Sequence, residues 1–241
     1  MGPRGELNGR IASFPGGLIV FVLVFAGVRS ADAQTGRVRL EQSRIYFEYN
    51  STARDFGVQV SLDGEQWKNL SITRPGGDAI FRVAGKGELR DVGLTELFFE
   101  GEEPSLDDVP VDEFLAKFPE GKYRFTGKTV AGEDLIGAGT LSHAVPEGPS
   151  NVSTAEANGT LVISWDPVTS SAAGFPARSV EIVGYQVIVD PFQVTLPASA
   201  TRVTLPPEFF QSLEPGTHDL EVLAIEKSGN QTITESTFDT Q

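Results

Sequence analysis

Eight residues, Thr160-Leu161-Val162-Ile163-Ser164-Trp165-Asp166-Pro167, limit what this chain can fold into more than any other stretch. Leu161, Ile163 and Trp165 fall on one face of a period-two pattern, with Val162 and Ser164 on the other, as in a strand laid on a core. Pro167 ends the strand, because proline has no N–H to give a central ladder. An indole at the end of such a strand needs further strands to close over it. The same alternation predicts seven short strands: Asn151 to Ala155, Thr160 to Trp165, Glu181 to Val189, Phe192 to Leu196, Thr201 to Leu205, Leu220 to Glu226 and Thr232 to Phe238. Seven short strands separated by turn residues point to an immunoglobulin-like sandwich.

From about Gly148 to Phe238 the residues resemble fibronectin type III domains. The resemblance rests on Pro149, on Leu161, Ile163, Trp165 and Pro167, and on Gly184-Tyr185-Gln186-Val187. It continues through Thr204-Leu205, Leu213-Glu214-Pro215-Gly216-Thr217 and Glu221 to Asn230. It implies a core built on Trp165, Tyr185 and Leu213. The family's corner tyrosine is replaced by His218, whose imidazole can also donate to a backbone carbonyl. No Arg-Gly-Asp triplet is present.

Upstream of Val145-Pro146-Glu147-Gly148-Pro149-Ser150, a short and fairly stiff linker, residues 36–145 read as a separate β-rich domain. Its strands are expected over Val38 to Tyr49, Phe56 to Leu62, Ile80 to Val83 and Leu94 to Phe99. A tight hairpin is expected at Asp63-Gly64, with Trp67, Leu70 and Ile72 on the return. Arg74-Pro75-Gly76-Gly77-Asp78 reads as a turn. Val111, Phe114, Leu115 and Phe118 make one helical stripe, so one short helix is predicted there. Tyr123-Arg124-Phe125, Thr129-Val130, Leu135-Ile136 and Thr140-Leu141 read as strands after it, around a turn at Ala131-Gly132-Glu133-Asp134. The expected architecture is therefore mainly β: two tandem sandwich-like domains, 36–145 and 146–241, end to end, the second of fibronectin type III kind.

The first 33 residues read as a leader. Arg4 and Arg10 precede the apolar run Leu18 to Val28, and Ala31-Asp32-Ala33 stands just before Gln34, the pattern of a cleaved secretory signal. The run is short for a bilayer span, and no later segment is a candidate. With no cysteine in the chain, neither disulfides nor a thioether-linked lipid holds the mature form. Residues 34–241 carry 16 basic against 31 acidic groups, net −15, of which −9 falls after residue 145. Such a charge disfavours nucleic acid and anionic lipid as partners.

Little in the residues points to chemistry. His143 and His218 are the two histidines, expected as a surface and a corner residue. Without cysteine they cannot make an ordinary zinc site, and neither neighbours a Gly-x-Ser-x-Gly turn. Gly85-Lys86-Gly87 and Gly137-Ala138-Gly139 lack the strand-loop-helix setting of a phosphate cradle and read as turns. No cofactor, metal or catalytic residue is expected. The acidic stretch Glu100 to Pro110 reads as a solvated loop, with calcium binding as the other reading, although its spacing fits no known calcium loop. Five of six asparagines, Asn50, Asn69, Asn151, Asn158 and Asn230, open Asn-x-Ser/Thr triplets. They are glycan acceptors in a eukaryotic secretory route and carry no such meaning in a bacterial periplasm. Turn chemistry alone accounts for Asn158 and Asn230.

The function expected on these grounds is a secreted or periplasmic, non-catalytic interaction or spacer protein with a protein partner. An accessory polysaccharide-binding module is the alternative, with Trp67 and Tyr123 or Phe125 stacking on sugar rings, although such aromatics are more often core. A hydrolase accessory or an unrecognised enzyme ranks third.

Overall fold

The computed structural model describes residues 36–241; the expected leader, with Ala31, Ala33 and Gln34, lies outside them. Strand β1 (Arg37–Arg39) leads into β2 (Gln42–Asn50), which pairs antiparallel with β3 (Asp55–Thr73) through a turn at Ser51 to Arg54. The first hairpin is thus made at Asn50, whose Oδ1 accepts from the amides of Thr52 and Ala53 at 3.0 Å each. Arg54 takes the left-handed conformation that closes it, φ 61°.

No turn forms at Asp63-Gly64, contrary to the sequence expectation, and β3 runs through it as one 19-residue strand. Gly64 is not among the positive-φ glycines. It is glycine because Leu40 crosses over it, where an added Cβ would meet the Leu40 Cδ2 at 3.0 Å. The close approach of Leu40, rather than a turn, accounts for the residue.

β3 bends, so its first half pairs with β2 and its second half serves other strands. Strand β4 (Ala79–Ala84) lies on the second half, after the expected turn at Gly76 and Gly77. A five-residue helix, α1 (Glu88–Val92), follows between two positive-φ glycines, Gly87 and Gly93. It buries no side chain, so it has no apolar stripe by which to be read. Strand β5 (Leu94–Glu100) returns to the first half of β3. Helix α2 (Val111–Lys117) puts Phe114 and Leu115 into the core, as its stripe predicts.

Each pair of short strands expected after the helix is one strand: β6 (Gly121–Thr129) and β7 (Asp134–Leu141). Gly127 continues β6 because a Cβ there would overlap the Asn69 carbonyl oxygen. Gly137 and Gly139, expected in a turn, lie inside β7 and let it approach Leu40, Ser43 and Ile45. The strands fold over a core in which Phe47, Phe56, Trp67, Tyr123 and Phe125 are fully buried.

All seven strands expected after the linker form: β8 (Ser153–Ala157), β9 (Thr160–Ser164), β10 (Ile182–Val189), β11 (Phe192–Pro197), β12 (Arg202–Thr204), β13 (Gly216–Glu226) and β14 (Gln231–Thr240). One four-residue helix, α3 (Pro207–Phe210), precedes β13. Asn158 (φ 55°) and Gly159 (φ 74°) make the two-residue turn between β8 and β9. β12, β9 and β8 form one sheet; β14, β13, β10 and β11 form the other. Trp165, Tyr185 and Leu205 fill the space between them, and Leu213 packs at its edge, half-buried.

The two halves share a sheet. Gln231, Thr232 and Ile233 at the start of β14 pair parallel with Glu48, Tyr49 and Asn50 at the end of β2. Pairing therefore runs unbroken through β1, β7, β6, β3, β2, β14, β13, β10 and β11. The fold is mainly β, and its sheets do not close into a barrel. Because the overlap spans three residues, the sandwiches are staggered lengthwise.

Candidate functional site at the domain junction

The turn between β13 and β14 is the centre of the junction. Gly229 (φ 99°) turns the chain so that Asn230 points out of the second half and into the first. Asn230 is 0 % exposed. Its Oδ1 accepts from the Phe47 amide at 2.8 Å, and its Nδ2 donates to the carbonyls of Ser142 (2.8 Å) and Ala144 (3.0 Å). It fits the junction as a peptide unit would, offering donors and an acceptor together. A glycan at Asn230 is excluded by this burial. Asn50 is engaged as well, donating to Glu235 at 2.8 Å.

The linker is part of the same joint. Val145 is buried in the first core, and the Pro146 carbonyl accepts from the Thr232 hydroxyl at 2.6 Å. The segment after β9 returns to the first half: Ala172 and Phe175 enter its core, with Phe175 4.9 Å from Phe56 and 5.0 Å from Tyr49. Arg178 pairs with Glu120 at 2.8 Å.

Beside this joint, on the sheet face turned away from the core, lies a cluster of acids. Glu48, from the end of β2, is only 6 % exposed. Carboxylate oxygens of Glu48, Glu100 and Glu103 all lie within 4.8 Å of one another. The Glu103 side chain folds back over Gly57, where any Cβ would overlap it, and its Oε1 is buried with no hydrogen-bond partner. Gln231 donates to the Glu48 carboxylate from the second half, and Gln59, itself accepting from the Tyr46 hydroxyl at 2.7 Å, supports it from the first.

Burial, above all, pushes the Glu48 carboxyl up to about 7, with Glu100 adding repulsion and the two glutamine amides pulling back. Burial pushes Glu103 further, up to about 9, reinforced by Glu48, Glu100 and Asp55 and by its hydrogen bond with Glu100. Burial also raises Asp55 and Glu221, each helped by Glu235. No lysine or arginine pairs with Glu48, Glu100 or Glu103 among the described residues.

The acidic stretch is therefore split. Glu103 turns inward, Glu100 stays exposed at the end of β5, Asp107 pairs with Arg54 at 3.1 Å, and Glu102 and Asp108 face solvent. Three carboxylates supply three to six of the six to eight oxygens that calcium takes, according to whether each binds through one oxygen or two.

Trp165 is 4 % exposed, with its ring 5.5 Å from that of Tyr185, and the Tyr185 hydroxyl accepts from the Val168 amide at 2.8 Å. His218 is half-buried, stacks on Phe238 and contacts the Glu214 carbonyl at 2.9 Å and the Thr240 hydroxyl at 3.1 Å. His143 is half-buried rather than a surface residue, with Nε2 2.9 Å from the Phe118 carbonyl. Trp67, Tyr123 and Phe125 are fully buried, which overturns them as a sugar-stacking platform. Neither the carboxyl cluster nor the role of Asn230 follows from sequence spacing. The one available signal was a glutamate, Glu48, amid the apolar alternation of β2.

In its second half the chain sets the three-stranded sheet β12-β9-β8 against the four strands β14-β13-β10-β11, the seven-strand sandwich expected from its sequence, here joined through β2 and β14 to a second β-domain. No protein-family model and no curated protein matches it. The solved structures similar to it are mainly fibronectin type III proteins. The two-domain fibronectin type III segment of chicken tenascin is 14% identical over 83% of this chain and 99% of that one, at a TM-score of 0.29. A 1.5-MDa bacterial ice-binding adhesin is 14% identical over 85% of this chain and 64% of that one, at 0.26. The spore cortex lytic enzyme SleM of Clostridium perfringens is 17% identical over 39% of this chain, at 0.32, and the match spans 28% of that enzyme. Scores this low say nothing of function, and the description of the fold rests on the strand pairing itself.

Proposed function

We propose that the chain is a non-catalytic spacer and interaction module that works outside the cytoplasm and binds a protein partner. The observation that carries this reading is the joint: a shared sheet and a buried Asn230 hold two sandwiches in one lengthwise relation, as a spacer requires. Both histidines are turned to backbone carbonyls rather than to a nucleophile. The clefts along β4, lined by Asp78 to Arg82 and by Asn69 to Ser71 with Arg82 to Ala84, lie wide open to solvent. Free strand edges at β4 and β11 supply the surface for a protein partner. Export rests on the leader pattern of residues 1–33, and no helix among the described residues is long and apolar enough to cross a membrane.

NMR relaxation on the purified chain tests the spacer reading. Both halves should report one common tumbling time, as a single elongated body. Two independent tumbling times would remove the rigid-spacer reading, and turnover of peptide, ester or polysaccharide substrates would remove the non-catalytic one.

A further inference from the structure

The acids at the junction sit where three pieces of chain meet: β2 with Glu48, the end of β5 and the connection after it with Glu100 and Glu103, and β14 with Gln231. We propose that this cluster is a proton-operated clasp, in which a hydrogen shared between the Glu103 carboxyl group and that of Glu100, fixed at the end of β5, holds residues 101–104 down over Gly57 and Glu48. Losing that proton lifts the loop and loosens the hold of Glu48 on the second half.

The groups that face the clasp are acids on every side. From β2 come Glu48 and the Tyr46 hydroxyl; from β3, Asp55 and the neutral Gln59; from β13, Glu221; from β14, Glu235 and the neutral Gln231. The nearest cations are otherwise engaged: Arg44 lies over the Tyr46 ring, 5.1 Å from its centre, and Arg54 pairs with Asp107. Glu48, almost wholly buried, and Glu103, with one oxygen sealed from water, do not both ionise this close together without a cation, whereas Glu100 is exposed. Glu48 has two amide donors to support its charge, whereas the buried Glu103 Oε1 has none. The shared proton therefore belongs on Glu103.

The loop it holds is a local unit. Its backbone is pinned by the Gly101 amide on the Val58 carbonyl (2.8 Å) and by the Phe56 amide on the Pro104 carbonyl (3.3 Å). Gly57 clears the space into which Glu103 folds. Glu48 and Glu103 titrate above their ordinary value in the folded chain, so the folded state holds more protons than the unfolded one. The stability they contribute is complete below the ordinary carboxylate range and is lost as pH rises through about 7 and then about 9.

Thermal unfolding of the full chain between pH 6 and pH 9.5, beside Glu103→Gln, tests the clasp. The amide of the variant donates to Glu100 at every pH. Wild-type Tm should fall by about 5 °C or more across that range, and the variant by less than half as much. Exchange of the Phe56 and Gly101 amides, corrected for its intrinsic pH dependence, should accelerate about tenfold in the wild type and stay level in the variant. Parallel Tm curves would overturn the proposal. So would a calcium-dependent rise in Tm at pH 9 that Glu103→Gln abolishes, which would make the cluster a cation site. If the variant does not fold, a carbon-detected NMR titration of the wild-type glutamates decides. One carboxyl group titrating well above the rest supports the clasp, and all of them titrating in the ordinary range overturns it.

Discussion

Asn230 is the residue on which most of the junction turns. Its three hydrogen bonds reach the Phe47 amide and the carbonyls of Ser142 and Ala144, all on the first half. Replacing it with alanine strands those groups away from water, at a cost of about 2–4 kcal/mol. A denaturant titration of Asn230→Ala should show that loss, and a change of under about 0.5 kcal/mol would mean that water or a shifted turn replaces the amide. His218 is a milder case. His218→Phe keeps the stack on Phe238 and gives up the contacts to Glu214 and Thr240, so about 1 kcal/mol should be lost. An unchanged midpoint would show that the corner bond carries no stability.

At the scale of elements, β3 decides how the first half is built. A strand of 19 residues can serve four partners because it bends between the segment paired to β2 and β5 and the segment paired to β4 and β6. The register shift between Asp63 and Trp67 marks that bend. Since no hairpin depends on Asp63, Asp63→Thr should move Tm by less than about 2 °C. A tight turn at that position would make the same change far more costly. Gly127→Ala should lose about 3 kcal/mol, because the added methyl meets the Asn69 carbonyl across the ladder and neither strand can move away. Thermal melts of the two variants side by side would separate a bent strand from a hairpin.

Across the whole molecule the two cores are joined by more than the linker. Phe175 belongs to the second half by position and to the first core by contact, beside Tyr49 and Phe56. Truncating it to alanine opens a cavity among aromatic rings and should cost about 3 kcal/mol. Calorimetry should show one unfolding transition for the wild type and for Phe175→Ala, because the shared sheet and the exchanged segment tie the halves together. Two separated transitions in the wild type would show that the joint is weaker than its bonds imply.

The seven strands of the second half were legible in the sequence. Alternation is a local property, and Leu161, Ile163 and Trp165 declare their common face without reference to anything distant. The Asn158-Gly159 turn and the stripe of α2 were legible for the same reason. Asp63-Gly64 misled because a glycine required by a crossing side chain looks, in sequence, like one required by a turn. The junction could not be read at all: Phe47 and Asn230 are 183 positions apart. Nothing in the spacing of Glu48, Glu100 and Glu103 marks them as neighbours. Local chemistry settled which segments became strands, and only packing decided which side chains those strands would bring together out of water.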